Sequence, residues 1–146
     1  MAKKKVVISA CLLGEACRYD GKTKKVSAVL EAYKEFEIIP FCPEAPVFGT
    51  PRERINVVRI EGDDKILTDI GNKDVTKLLE DEIYTFIAKN KNIDAIVLKS
   101  KSPSCGNATT PILDENREII VYGDGIAAKI FKKTYKTIEI KDEYMS

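Results

Sequence analysis

The residues best suited to chemistry are concentrated at positions 99–106, where the sequence is Lys-Ser-Lys-Ser-Pro-Ser-Cys-Gly. Two lysines, three hydroxyls and one thiol lie there, directly after the apolar run at 93–98. A short apolar run of this kind predicts a buried β-strand. Because α/β proteins commonly bind ligands at the carboxyl ends of such strands, this segment is a candidate site.

Two other predicted strands are also followed by a cysteine. Cys11 comes after residues 5–10 and Cys42 after residues 36–41, as Cys105 follows residues 93–98. If the three strands are parallel neighbours, their carboxyl ends share one edge of a sheet and the thiols meet there. Three converging thiols favour a metal or iron–sulfur site with one open coordination position, since structural zinc takes four protein ligands. The alternative is that each cysteine is a small buried side chain.

Histidine does not occur anywhere in the chain. Its absence excludes Ser-His-Asp and Cys-His catalytic systems, His-ligated zinc and histidine general bases. Acid–base chemistry must therefore come from carboxylates, lysines, hydroxyls or thiols. Glu44, two residues after Cys42, is a candidate general base, with an exposed loop glutamate as the alternative. Cys17 is a spectator thiol, a disulfide partner of Cys11 or a sulfur relay, and the sequence leaves this open.

Several polar residues near these positions are weaker candidates for substrate binding. Ser102 and Ser104 can hydrogen-bond a ligand, cap a helix or satisfy the turn. Lys99 and Lys101 either hold an anion or are solvated. Arg52 lies in an irregular, proline-punctuated loop, where an arginine could clamp a phosphate.

Length and charge limit the classes of protein to consider. The chain has 146 residues, which favours one domain over 1–146. Its 24 basic and 23 acidic residues give no electrostatic reason to expect nucleic acid or a membrane as partner. No apolar run approaches the ~18 residues of a membrane span, and the N-terminus does not resemble a secretory signal. We therefore predict a cytoplasmic protein, and in that compartment cysteines are more often metal-binding or catalytic than disulfide-bonded.

The hydrophobic pattern alternates between strand and helix along the chain. It predicts strands at 5–10, 36–41, 93–98 and 137–140, and helices at about 26–33, 75–87 and 125–133. Residues 56–60 and 65–68 are predicted to form a β-hairpin carried as an excursion, and 111–113 with 118–122 a smaller one. This order predicts an α/β fold with a small, mostly parallel sheet and helices on both faces, in a Rossmann-like three-layer arrangement.

A series of motifs along nearly the whole chain resembles one known family. The motifs are Ser-Ala-Cys-Leu-Leu-Gly at 9–14, Cys-Arg-Tyr-Asp-Gly at 17–21, Cys-Pro-Glu at 42–44, Thr-Pro-Arg at 50–52, Asp-Val-Thr at 74–76, Lys-Ser-Pro-Ser-Cys-Gly at 101–106 and Gly-Asp-Gly at 123–125. Together they resemble a bacterial family long labelled only as a domain of unknown function, whose characterised members are thiouracil desulfidases. The cysteine motifs are the specific part of this resemblance.

The resemblance implies a 4Fe–4S cluster bound by Cys11, Cys42 and Cys105. In that family the free iron is thought to take the thiocarbonyl sulfur of a thiolated uracil or its nucleotide. Water then replaces the sulfur at carbon without net redox change. The family's catalytic carboxylate and serine fall on Glu44 and Ser102. Glu44 would deprotonate the water, and Ser102 would orient the substrate or relay a proton.

The predicted function is thus an iron–sulfur-dependent desulfidase acting on thiouracil or thiouridine monophosphate. The expected partner is this small molecule, and neither a nucleic acid polymer nor a membrane is expected. The alternative is a non-catalytic module that carries iron–sulfur, metal or sulfur and binds a nucleotide, which would need neither Glu44 nor Ser102. A third possibility is a dithiol redox protein using Cys11 and Cys17, although these lack the Cys-x-x-Cys spacing.

Overall fold

The computed structural model describes residues 3–13, 27–44 and 53–144, and these ranges form an α/β fold. The strands are β1 Lys5–Ser9, β2 Glu37–Phe41, β3 Ile55–Ile60, β4 Asp63–Thr68, β5 Ala95–Val97, β6 Thr110–Leu113, β7 Ile119–Gly123 and β8 Ile140–Lys141. The helices are α1 Ser27–Ala32, α2 Thr76–Lys89 and α3 Ile126–Thr134, and a 3-10 helix spans Ala10–Leu13. The predicted α/β class is confirmed. None of the described helices is both long and apolar enough to cross a membrane.

The strands form two four-stranded sheets, which corrects the prediction of one small sheet. The first has the order β2-β1-β5-β8, and its neighbours are all parallel. The second has the order β4-β3-β6-β7, with β3 and β6 parallel and the two outer pairs antiparallel. Val57 and Val58 of β3 pair with Ile112 and Leu113 of β6. The two segments predicted as separate excursions therefore join into a sheet of their own.

Alternate side chains of β1 lie in two different clusters of buried side chains. Val7 belongs to the larger cluster, which includes Leu79 of α2 and Phe131 of α3. Val6 belongs to the smaller cluster, which includes Val29 of α1. Because successive strand side chains point to opposite faces, helical residues cover β1 from both sides. This burial fixes the direction in which the residues after β1 emerge.

The second sheet packs into the larger cluster. Val57, Ile66 and Ile112 all lie there with Val7 of the first sheet. The two sheets therefore share one core with α2 and α3. The Rossmann-like order of three layers stays a prediction.

Asp64 in β4 connects the second sheet to α3. Its two carboxylate oxygens accept hydrogen bonds from Nε and Nη2 of Arg59 at 2.8 and 3.3 Å. The Nζ atom of Lys129 on α3 lies 3.7 Å from the same carboxylate. The hydrogen bond from Arg59 lowers the pKa of Asp64, although partial burial acts in the opposite direction.

We expect Asp64→Asn to lower the free energy of unfolding by at most about 1 kcal/mol at pH 7. The folded-state pKa of Asp64 lies below its ordinary value of about 3.9, so the stabilisation is complete above that value. It is lost as the pH falls through the folded-state pKa. Urea unfolding of both proteins at pH 7 and pH 3 should therefore show a smaller difference at pH 3. An equal difference at the two pH values would contradict this role of Asp64.

Candidate active site

The three strands that lead to the cysteines are parallel neighbours, as the sequence argument required. β1 lies between β2 and β5 and pairs with both in parallel. Cys11 and Cys42 follow the ends of β1 and β2, and Cys105 lies in the loop between β5 and β6. All three line one cavity of about 290 Å³. The structure thus brings the predicted cofactor-binding residues to one place.

Each thiol reaches the cavity on a different piece of backbone. Cys11 is buried in the 3-10 helix that continues β1. Cys42 is half-buried and directly follows β2. Cys105 is buried, and its loop begins directly after β5. Because strand ends and a short helix are rigid, the sulfurs of Cys11 and Cys42 are held in place before any ligand binds.

The thiol of Cys105 has the most strongly perturbed environment. Burial raises its pKa to about 12, and the nearby charges of Cys42 and Glu44 act in the same direction. Hydrogen bonds with the hydroxyls of Ser104 and Ser9 act against this change. The Oγ atom of Ser104 lies 3.7 Å from the sulfur. Without a bound metal this thiol is therefore protonated at neutral pH, and metal binding must release its proton.

The loop that carries Cys105 is held by hydrogen bonds to Ser102. The Ser102 hydroxyl oxygen accepts from the backbone N–H groups of Ser104 and Cys105 at 3.3 and 3.1 Å. The Ser102 carbonyl accepts from the N–H of Gly106 at 2.9 Å and from the hydroxyl of Thr110 at 2.6 Å. Because both polar groups of Ser102 are used, its position is fixed relative to that of the thiol.

Helix α3 begins directly against this loop. The N–H of Gly125, just before the helix, donates to the Gly106 carbonyl at 2.7 Å. The N–H of Ala127, in its first turn, donates to the Ser104 carbonyl at 2.6 Å. N–H groups at the start of a helix have no partner within the helix, so the loop satisfies donors that would otherwise lack one.

Two serines and one glutamate form a hydrogen-bonded chain beside Cys105. The Ser104 hydroxyl donates to Oε2 of Glu44 at 2.6 Å and lies 3.2 Å from the Ser102 hydroxyl oxygen. Ser104 is 1% exposed, and Glu44 is also buried. The two residues predicted to be catalytic, Glu44 and Ser102, are thus separated by a single hydroxyl group.

A model of the 2-thiouracil desulfurase family matches residues 6–143. The chain belongs to this family. A relative in Bacillus subtilis (strain 168), the uncharacterised protein YbbK, is 36% identical over 111 residues, which are 70% of this chain and 73% of YbbK. Among solved structures, the 4Fe–4S-dependent thiouracil desulfidase TudS matches with a TM-score of 0.74 and 27% identity, over 97% of this chain and 92% of TudS.

The donor set of this family member has the chemistry that an iron–sulfur cluster requires. A four-iron cluster is larger than one ion, and its ligands are almost exclusively thiolates. Three thiols spread around a cavity of about 290 Å³ match that requirement.

Of the weaker candidates for substrate binding, Lys101 and Ser104 line the cavity, whereas Arg52 cannot be placed. Lys101 lines the cavity and is exposed, and its φ of 62° lies in the left-handed region. Its N–H donates to the Thr109 hydroxyl at 2.9 Å, which stabilises that conformation. Arg52 and Cys17 lie outside the described residues. Ser104 lines the cavity, but its hydroxyl is bound to Glu44.

Sequence reasoning missed several residues that the structure places in or beside the site. Ser9, the last residue of β1, hydrogen-bonds the Cys105 thiol. Thr110 fixes the Ser102 carbonyl, and Asn56 of β3 lines the cavity. Arg54, just before β3, also lines it, and it belongs to the loop in which an arginine was predicted to clamp a phosphate. The position of Ser9, two residues before Cys11, was the available signal for that residue. Thr110 and Asn56 depend on contacts between segments distant in sequence.

We expect Gly125→Ala to lower the free energy of unfolding by about 1–3 kcal/mol, as overpacking does in other proteins. A β-carbon there would lie 2.6 Å from the carbonyl carbon of Ser104 and 2.8 Å from the nitrogen of Cys105. Both are backbone atoms, so the loop and α3 must move apart. Urea unfolding measures the loss.

Gly123→Ala is the matched control for this experiment. Its β-carbon would lie 2.6 Å from Cδ1 of Ile112, the end of a flexible side chain that can rotate away. The control should lose clearly less stability than Gly125→Ala. An equal decrease in the free energy of unfolding for both variants would contradict a close backbone contact between α3 and the cysteine loop.

Proposed function

We propose that this protein is an iron–sulfur-dependent desulfidase that replaces the thiocarbonyl sulfur of thiouracil or thiouridine monophosphate with oxygen. One observation carries the proposal: three cysteines, a buried carboxylate and the serines Ser102 and Ser104 line the same cavity in a member of the 2-thiouracil desulfurase family. The likeness to TudS, a 4Fe–4S-dependent thiouracil desulfidase, supports both the cofactor and the substrate class. The match of the family model over residues 6–143 supports treating the chain as one domain.

The residues that would hold the cluster are Cys11, Cys42 and Cys105. A 4Fe–4S cluster held by three thiolates supplies a Lewis-acidic iron with an open position, and its softness suits a sulfur ligand. The overall reaction consumes water and releases hydrogen sulfide, with a carbonyl in place of the thiocarbonyl. Carbon, sulfur and iron need no net change of oxidation state.

In this mechanism Glu44 is the general base. Its Oε2 atom accepts the hydrogen bond from Ser104, which fixes the carboxylate beside the cavity. The carboxylate takes a proton from the attacking water. Because the chain has no histidine, another type of side chain must be the base. Pro43, between Cys42 and Glu44, limits the movement of the backbone that carries this base.

Ser102 is the hydrogen-bond donor of the site. Its oxygen accepts from two backbone N–H groups, those of Ser104 and Cys105, and this occupies its lone pairs. Its own O–H is therefore directed to the substrate or to the Ser104 hydroxyl, 3.2 Å away. Because Ser104 donates onward to Glu44, the three groups form a path along which a proton can move between substrate and base.

The remaining assignments concern the substrate and the compartment. Lys101, whose side chain is exposed at the cavity, and Arg52 are the proposed contacts for a nucleotide phosphate. Ser104 acts on the base through its hydrogen bond to Glu44 and lines the substrate cavity. Cysteines that serve a metal centre rather than structural disulfides are typical of a reducing compartment, so the proposed localisation is cytoplasmic.

Anaerobic purification and reconstitution with iron and sulfide test the proposal. We expect about four irons per chain, as in a 4Fe–4S protein, and sulfide release from 4-thiouracil or 4-thiouridine monophosphate. Failure to bind iron under these conditions would rule out the proposed cofactor. A bound cluster with no sulfide release from either substrate would favour the non-catalytic binding module.

Glu44→Gln and Ser102→Ala should lower kcat by at least about 100-fold, the usual contribution of a positioned acid or base. Both should bind the same amount of iron as the unmodified protein, because neither residue is a proposed ligand. Glu115→Gln, on the exposed turn between β6 and β7, is the matched control and should retain full activity. Turnover by both site variants at the rate of this control would overturn the role assignments.

A further inference from the structure

Glu143 is a buried carboxylate that lies just outside the cavity. It is 6% exposed, and glutamates are seldom so deeply buried unless they are paired. Oε1 accepts the N–H of Ser100 at 2.7 Å, and Oε2 accepts the Ser100 hydroxyl at 2.9 Å. Nζ of Lys99 lies 3.1 Å from Oε2. Both carboxylate oxygens are thus bound to residues that line the cavity.

The register of β8 brings Glu143 to this position. Lys141 pairs with Val97 of β5, and its carbonyl accepts the N–H of Leu98 at 2.8 Å. Two residues later on each chain segment, Glu143 lies beside Ser100. The last strand of the first sheet therefore delivers a carboxylate to the start of the loop that carries Cys105.

Lys99 connects this carboxylate to the thiols. Its N–H donates to the Ser9 hydroxyl at 2.9 Å, and its Nζ donates to the Ser100 carbonyl at 2.8 Å. The Ser9 hydroxyl in turn hydrogen-bonds the Cys105 thiol. Glu143 is therefore linked to a proposed cofactor ligand through the side chain of Lys99, the backbone N–H of the same residue and the hydroxyl of Ser9.

The carboxylate is ionised and balances the charge of Lys99. Burial raises the pKa of Glu143, but the N–H of Ser100 and the ammonium of Lys99 outweigh it, and the net pKa is lowered. The Lys99 side chain is itself largely buried, with 19% exposure. Removing one partner of such a pair leaves the other charge buried without compensation.

We propose that Glu143 is a positioning residue of the active site, which holds Lys99 and Ser100 so that the following loop presents Ser102 and Cys105 to the cavity. Its effect on turnover rests on the proposed function, whereas its effect on the thiol does not. Glu143 does not line the cavity. It acts through the two residues that it anchors.

The first test measures alkylation of Cys105 in the full-length, reduced, metal-free chain at one fixed pH. Peptide mass spectrometry follows each cysteine separately. Glu143→Ala should raise the rate at Cys105 about tenfold or more, because losing hydrogen bonds to a charged group increases the population of open loop by at least that factor. Glu143→Gln should have a smaller effect, since its amide oxygen still accepts the N–H of Ser100.

Asp64→Asn is the matched control for a purely structural role. It removes a carboxylate of β4 whose partners are Arg59 of β3 and Lys129 of α3, rather than residues of the cysteine loop. Urea unfolding gives, for each variant, the urea concentration at which its free energy of unfolding equals that of the control, and alkylation is compared at those concentrations. Under those conditions only the Glu143 variants should alkylate faster at Cys105. Equal rates in Glu143→Ala and Asp64→Asn would overturn the proposal.

The second test uses the reconstituted enzyme. Glu143→Gln should lower kcat about tenfold, with a smaller change in KM, because a displaced Ser102 affects the reacting groups more than substrate binding. Iron release to a chelator should also be faster than in Asp64→Asn.

Adding Lys99→Met to Glu143→Gln should recover part of the loss in kcat, since the uncompensated ammonium is removed. A double variant no better than Glu143→Gln would contradict the role of the charge pair.

The two proposals fail in different ways. If the unmodified protein binds iron but releases no sulfide, the proposed function fails while alkylation of Cys105 still tests Glu143. If the unmodified protein is active and the Glu143 variants alkylate and turn over as Asp64→Asn does, only the positioning role fails.

Discussion

The site depends on one backbone contact, between the start of α3 and the loop that carries Cys105. N–H groups at the beginning of the helix donate to the carbonyls of Ser104 and Gly106. Glycine is required at this contact, because a β-carbon on Gly125 would collide with the backbone of Ser104, and one on Gly106 with the hydroxyl of Thr110. Phe131 anchors the same helix in the larger core cluster. The position of a reactive thiol is thus set by the packing of a helix.

This contact holds the Cys105 thiol close to two other groups that can become anions, the Cys42 thiol and the Glu44 carboxyl group. Cys105 is buried beside Cys42 and Glu44, and their mutual repulsion as anions helps to raise its pKa to about 12. Such a group of donors is neutral while protonated and becomes strongly anionic when deprotonated. A cationic multi-iron centre would compensate that charge, and its binding would be coupled to proton release. Rigid positioning keeps the thiols together before that charge compensation occurs.

The cysteine positions could be predicted because they depend on local patterns. An apolar run followed by a cysteine marks a strand end, and three parallel strands carry their ends to one edge. Contacts of long sequence separation could not be predicted in this way. Ser104 and Glu44 are 60 residues apart, and Ser100 and Glu143 are 43 apart. Their pairing follows from strand order and register, which a short apolar pattern does not specify.

The second sheet was missed for the same reason, and it has a distinct part in the site. Its strands β3 and β6 form no ladder with the strands that lead to the cysteines. They nevertheless provide one wall of the cavity, through Arg54, Asn56 and Pro111. The Asn56 amide is held by Asp69 of the same hairpin, at 2.9 Å, so this wall is ordered by contacts of its own. The side chains of Arg54 and Asn56 can therefore differ without moving the thiols, because the cysteine loop is held by Thr110, by α3 and by the first sheet.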